Sequence, residues 1–293
     1  MERESRMYYG WIILSVVMFG GGFALQNGYR KLRGSGLRIS LEASLVGSLA
    51  GLLVLLIFNR FHLALTPFTL LIAALASANG IAFTFCSFKA LDTINLSLFS
   101  LFSMLGGMVL PFLQGIVFYG EALTGAKLIC LGLICAALLL TVTRGKRLGG
   151  TVYYVAIFVL NGMSGVLSKL FASASFDKTD GTSYSIWIAI CTALLSGILL
   201  LCYARGQKEP KPYTARAFAT AATQGAVNRI ANLLLVIALA HVDASVQYPM
   251  VTGGVMIVST LICFFGEKKP TRKELASVAL AFLGMLALFA IPI

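Results

Sequence analysis

Of the 293 residues, 58% are hydrophobic and only 12% charged, and the mean hydropathy is +0.89. So little polar surface cannot cover a water-soluble globule of this size, which excludes a soluble enzyme or binding domain and places the chain in a bilayer. The formal charge of +12 does not indicate nucleic acid, because the Lys and Arg residues are distributed over short connections between apolar runs.

A helix needs roughly 20 apolar residues to cross the hydrocarbon, and ten such runs are read at about 8–28, 41–58, 67–88, 95–119, 125–143, 151–171, 184–203, 214–239, 244–265 and 272–291. The first holds Gly20-Gly21-Gly22, then Gln26 and Asn27, and has no carboxylate from Tyr8 to Gly28. The third carries Asn79. The fourth carries Gly106-Gly107 and Pro111 and closes on Tyr119-Gly120-Glu121. In the sixth, Asn161, Ser164, Gly165 and Ser168 fall at i, i+3, i+4 and i+7, one face of a helix, with Lys169 beside them. Serine in a membrane helix also bonds the carbonyl one turn back, so the stripe reads equally as helix-internal bonding or as a site. Lys169, near a helix end, suits snorkelling to the headgroups.

The eighth run is the most unusual. Gly225, Asn228, Arg229 and Asn232 repeat the one-face spacing, with Gln224 and Ala221 on its margin. A guanidinium facing lipid would cost at least about 2.5–3.5 kcal/mol, so Arg229 must face protein or a wet cavity. Two roles remain open: a structural arginine satisfied by carbonyls or by Glu42, or a fork of donors for a carboxylate or phosphate, with the asparagines bonding the rest of a small polar solute. The ninth run adds Gln247, Tyr248 and Gly253-Gly254 and closes on Phe265-Gly266-Glu267.

That closing phrase repeats the one at 119–121 after 146 residues, and the paired glycines and the Ala-Leu pairs Ala90-Leu91 and Ala238-Leu239 recur at similar offsets. The chain therefore reads as a tandem repeat, 1–147 and 148–293. Five crossings per copy force the second copy to enter from the opposite side, so the expected fold is all-α and integral to the membrane, with ten transmembrane helices as two inverted five-helix repeats. Alternate connections carry sixteen of the Lys and Arg residues and the opposite side five, which places both termini outside.

The six cysteines lie in apolar runs without a CxxC pair, and the only histidines are His62 and His241. No metal site, cofactor or catalytic constellation is expected, and the chain is not read as an enzyme. No span has Asp or Glu near its centre, which counts against proton-coupled export of lipophilic cations.

The phrase Gly120-Glu121-Ala122-Leu123-Thr124, preceded by Pro111, and the spacing from Asn161-Gly162 to Lys169 resemble the EamA-type members of the drug/metabolite transporter superfamily. The resemblance covers the whole chain. It implies a central cavity lined mainly by the first, third, fourth, sixth, eighth and ninth helices, and alternating access. It also implies cytoplasmic termini, against the charge count. The expected function is a secondary transporter for a small anionic or zwitterionic metabolite in a prokaryotic plasma (inner) membrane. Its partners are that solute, lipid and a coupling ion, proton or sodium, with no nucleic acid; the unit is a monomer or homodimer. A cation or drug exporter and a non-transporting scaffold are the alternatives.

Overall fold

In hydrocarbon a backbone must satisfy its own polar groups, and for a chain of long apolar runs the helix is the means. The computed structural model describes residues 2–120, 124–141, 148–204, 212–239, 244–266 and 268–290. These form ten helices: α1 (Glu2–Arg33), α2 (Leu37–Phe58), α3 (Pro67–Thr93), α4 (Leu96–Tyr119), α5 (Gly125–Thr141), α6 (Leu148–Ser173), α7 (Gly181–Ala204), α8 (Ala215–Leu239), α9 (Ala244–Phe264) and α10 (Arg272–Ala290). Among the described residues there is no strand, and six helices (α1 to α4, α6 and α7) have stretches long and apolar enough to cross a membrane. The chain is a multi-pass helical membrane protein.

The helix ends follow local chemistry. Thr66 and Asn95 cap α3 and α4 by accepting from the backbone N–H three residues on, and Pro67 occupies the first turn of α3, where its missing N–H is harmless. Thr271 and Glu274 form a reciprocal capping box at the start of α10. Gly120, with φ +66°, ends α4 in the left-handed region that glycine enters without a Cβ penalty. The Gly-Glu phrase therefore begins, in its first copy, with a helix stop; Glu121 and Glu267 lie outside the described residues. α1 and α3 run past the expected ends at 28 and 88, drawing Arg30, Lys31, Arg33, Lys89 and Asp92 into helix. Basic groups in the last turn of α1 complement the negative end of its dipole.

Most helix packing runs between the two halves of the chain. α1 lies against α8 and α9, and α6 against α3 and α4; α2 packs on α7 and α8, α7 on α2 and α3, α4 on α9, and α5 on α10. Small residues let backbones approach where no hydrophobic drive separates helix from lipid. At the α2–α8 crossing a Cβ on Gly225 would strike the backbone of Gly47, and at the α4–α6 crossing a Cβ on Gly106 would strike that of Phe158. The largest buried cluster includes Phe99, Leu101 and Leu105 of α4, Val255 and Met256 of α9, and Ile134 of α5.

The connections sort into two ends. At one end Arg30 Nη1 bonds Asp92 Oδ1 at 2.5 Å, Lys268 Nζ donates to the Asp92 carbonyl at 2.9 Å, and Asn95 Nδ2 donates to Glu274 at 2.7 Å. These contacts bring the α1–α2, α3–α4 and α9–α10 connections together. At the other end Trp187 Nε1 donates to the Ala64 carbonyl at 2.8 Å, Thr179 N donates to Thr69 Oγ1 at 3.1 Å, and Ser173 donates to Tyr119 Oη at 2.6 Å. That end joins the α2–α3 and α6–α7 connections and the close of α4. Lys and Arg crowd the first end, which is called the basic end below.

Candidate functional site

A cavity of about 520 Å³ lies between the halves. Its walls come from α1, α2, α3, α4, α6, α7, α8 and α9, so α2 and α7 join the six helices that the resemblance implies. The volume lies in the range of small-molecule sites.

α8 supplies the polar wall. Its helical period turns Ala221, Gln224, Gly225, Asn228, Arg229 and Asn232 to the cavity. Asn232 Nδ2 donates to the Asn228 carbonyl at 2.8 Å, while Asn228 Oδ1 is enclosed without a hydrogen-bond partner among the described residues. The Arg229 guanidinium has no hydrogen bond or ion pair among the described residues. Its aliphatic stem fills the space beside Gly51 of α2, where an added Cβ would come 2.5 Å from Arg229 Cγ. Glu42 is not its counter-ion. That carboxylate accepts from Arg33 at 2.5 Å and from Arg38 at 3.2 Å, because it begins α2 at the basic end, beside the last turn of α1.

The α6 stripe reaches the same space. Asn161, Ser164, Gly165 and Ser168 line the cavity, but much of their capacity serves the protein. Asn161 Nδ2 donates to the Ser103 carbonyl at 2.6 Å, and Ser164 and Ser168 donate one turn back to Leu160 and Ser164 carbonyls. Gln26 of α1 also lines the wall and is 6% exposed.

Other expected residues sit elsewhere. Asn79 is a fastener: its Nδ2 donates to the Leu160 carbonyl at 2.9 Å and to Ser164 Oγ at 2.8 Å, tying α3 to α6. Asn27, next in sequence to Gln26, turns away and accepts from Arg30 at 3.0 and 3.1 Å. Lys169 Nζ donates to the Pro111 carbonyl at 3.4 Å and stands 5.4 Å from the centre of the Tyr119 ring; it is not part of the wall. The side chains of Gln247 and Tyr248 lie outside the described residues.

Sequence reading missed the aromatic share of the wall: Phe19, Phe23 and Tyr29 on α1, Phe83 and Phe88 on α3, and Tyr184 on α7. In apolar runs or at their ends, these residues have no signal separating cavity from core or lipid. Tyr184 stacks on Phe171 with centroids 4.0 Å apart and an interplanar angle of 8°, and it is the electrostatic neighbour of Arg229. Among the described residues its enclosed hydroxyl makes no hydrogen bond of normal geometry and lies beside the Ser168 side chain. Among the described wall residues Arg229 alone is charged.

No family model matches the chain, and no curated protein matches it. It is similar to a solved crystal structure described only as that of a protein, with a TM-score of 0.59 over 94% of this chain and 95% of the other, at 16% sequence identity. That likeness concerns the fold.

Proposed function

We propose that this chain is a secondary transporter for a small anionic or zwitterionic metabolite, working by alternating access around the central cavity. The observation that carries the reading is a guanidinium with no hydrogen bond or ion pair among the described residues, facing a 520 Å³ space in which no other described wall residue is charged. A charge kept at that depth without a counter-ion carries a desolvation cost that an incoming anion would relieve. In this role Arg229 clamps the acidic group through paired N–H donors. Asn228, Asn232, Gln224 and the Tyr184 hydroxyl bond the remainder, and the aromatic walls cover any apolar part.

The transporter is proposed to have ten spans in two inverted repeats, of the EamA type. The pairing of helices supports this: advancing each helix number by five turns α1 on α8 into α6 on α3, α4 on α6 into α9 on α1, and α2 on α8 into α7 on α3. The α2–α7, α4–α9 and α5–α10 pairs map onto themselves, as a pseudo-two-fold between halves requires. Clustering of the basic connections at one end favours that end as cytoplasmic, with both termini outside. A prokaryotic inner membrane, a proton or sodium ion for coupling and a monomeric or homodimeric unit complete the proposal. The chain is proposed to catalyse no covalent chemistry.

One observation favours a second reading. Six aromatic rings line the cavity, and such walls also suit organic cations, with Arg229 then a brace.

Thermal unfolding of the purified protein against carboxylates, amino acids, phosphorylated metabolites and quaternary amines separates the two, since a ligand that binds only the folded state raises the midpoint. Stabilisation by acidic or zwitterionic solutes that disappears in Arg229→Gln is the expected result. Stabilisation by cations alone, unchanged in Arg229→Gln, would move the exporter reading to the front.

A further inference from the structure

At the basic end the cavity wall is closed by side chains from four helices. Tyr29 of α1 and Phe88 of α3 line the cavity and stack with ring centroids 5.9 Å apart; each is 1% exposed. With Ile39 and Ala43 of α2 and Ala217 and Ala221 of α8 they form one buried apolar cluster. One turn further along α1, Arg33 Nη2 donates to Glu42 Oε2 of α2 at 2.5 Å, with side chains only 3% and 11% exposed. Arg38 Nε takes the other carboxylate oxygen at 3.2 Å. The Arg33 guanidinium also stands 4.8 Å from the centre of the Tyr213 ring, just before α8. Glu42 thus joins α1 to α2, and Arg33 extends the join to the approach of α8.

This closure is incompletely satisfied. Among the described residues Arg33 Nε, Arg33 Nη1 and Tyr29 Oη are enclosed without a hydrogen bond of normal geometry, Tyr29 Oη lying beside the Arg33 guanidinium and Tyr213 in looser contact. A guanidinium offers five N–H donors, and a buried ion pair recovers only part of the hydration that it gives up. Opening this end would hydrate all three atoms while breaking one charged hydrogen bond between α1 and α2 and the weaker contacts of Tyr213 with Arg33 and Tyr29. A closure so composed has small net stability, as a gate between two states requires.

We infer that Glu42, through its pair with Arg33, is the positioning residue that holds the basic end of the cavity shut, and that a solute passes that end only after the pair parts. The second half of the inference rests on the transporter reading; the first is a property of the empty protein. The experiment therefore uses no solute. In a cysteine-replaced background, Thr84→Cys on the α3 cavity wall is exposed to a membrane-impermeant maleimide from one membrane face at a time. Lys269→Cys, at an exposed position in the α9–α10 connection, marks the basic face and checks that each variant is inserted.

With Glu42 and Arg33 in place, modification of Thr84→Cys from the basic face should be slow. Glu42→Gln and Arg33→Gln should each raise that rate, by about tenfold for a shift of one decade in the open population. Glu42→Asp, which keeps the charge, should restore slow modification; a mere packing role would not predict that rescue. Where a single variant does not fold, Arg33→Gln with Glu42→Gln leaves no lone buried charge and takes its place. A fast rate in the parent, or a rate from the basic face unchanged by every neutralising variant, overturns the inference. A protein that binds no solute would fail the transporter test and leave this readout intact, so the two failures are distinguishable.

Discussion

At the scale of single residues, Asp180 gives a direct check of local structure apart from the cavity. Its Oδ2 accepts from the backbone N–H of Thr182 at 2.9 Å and of Ser183 at 3.0 Å, satisfying two of the orphan donors at the start of α7. Asp180→Ala should cost about 1 kcal/mol, as loss of an N-cap does, and lower the unfolding midpoint. Burial pushes the Asp180 carboxyl up, but the hydrogen bonds from Ser183 and Thr182 outweigh it and the net displacement is downward. A depressed folded-state pKa means that the stabilisation is present above the unfolded-state value and is lost as pH falls through the folded-state value. The gap in midpoint between wild type and Asp180→Ala should therefore narrow on the acid side, below the ordinary carboxylate range, and hold steady at neutral pH. A gap that widens with acid would contradict the capping role. Arg229 and Asn79 mark the limits of residue-level reading: each is a polar residue inside an apolar run, yet one faces the cavity with no hydrogen bond or ion pair among the described residues and the other is consumed by α6.

At the scale of elements, the glycines divide by what faces them. Gly225 of α8 meets the backbone of Gly47 of α2, which cannot rotate away as a side chain could. Gly225→Ala should overpack that crossing and destabilise the protein by about 1–3 kcal/mol, with loss of the proposed solute binding as Asn228 and Arg229 shift with α8. Gly10 of α1 has nothing within 4 Å of an added Cβ. Gly10→Ala should be neutral or stabilising by up to about 1 kcal/mol, because alanine is the better helix former. Thermal midpoints of the two variants, read beside binding, check the pair; equal effects would mean that the α2–α8 crossing is not a close backbone contact. Thr66, Asn95 and Thr271 cap helices through residues three positions on in the chain, whereas the group that each glycine meets lies on another helix.

At the scale of the whole molecule, the two halves complete each other. α1 rests on α8 and α9, α6 on α3 and α4, and α2 between α7 and α8, so each half keeps only light packing of its own. Residues 1–147 and 148–293 produced as separate chains should each fail to give a cooperative unfolding transition, and co-expression should restore one. A half that unfolds cooperatively alone would contradict this. The cavity is a product of the same interleaving, because its polar wall on α8 and much of its aromatic wall on α1 and α3 come from different halves.

Composition and the spacing of apolar runs determined the solvent, the helical class and nearly every element, since the need to satisfy backbone polar groups inside hydrocarbon leaves a long apolar run little choice. The one-face spacing of Asn228, Arg229 and Asn232 likewise determined that these side chains share a surface. Tertiary structure alone decided which polar residues remain available. Asn79 and Lys169 are engaged by α6 and α4, and rings from α1, α3 and α7 share the cavity with Arg229. The physical reason is that periodicity sets the direction of a side chain relative to its own helix, while hydrogen-bond partners and cavity walls depend on which other helix lies across from it, at separations of tens to hundreds of residues.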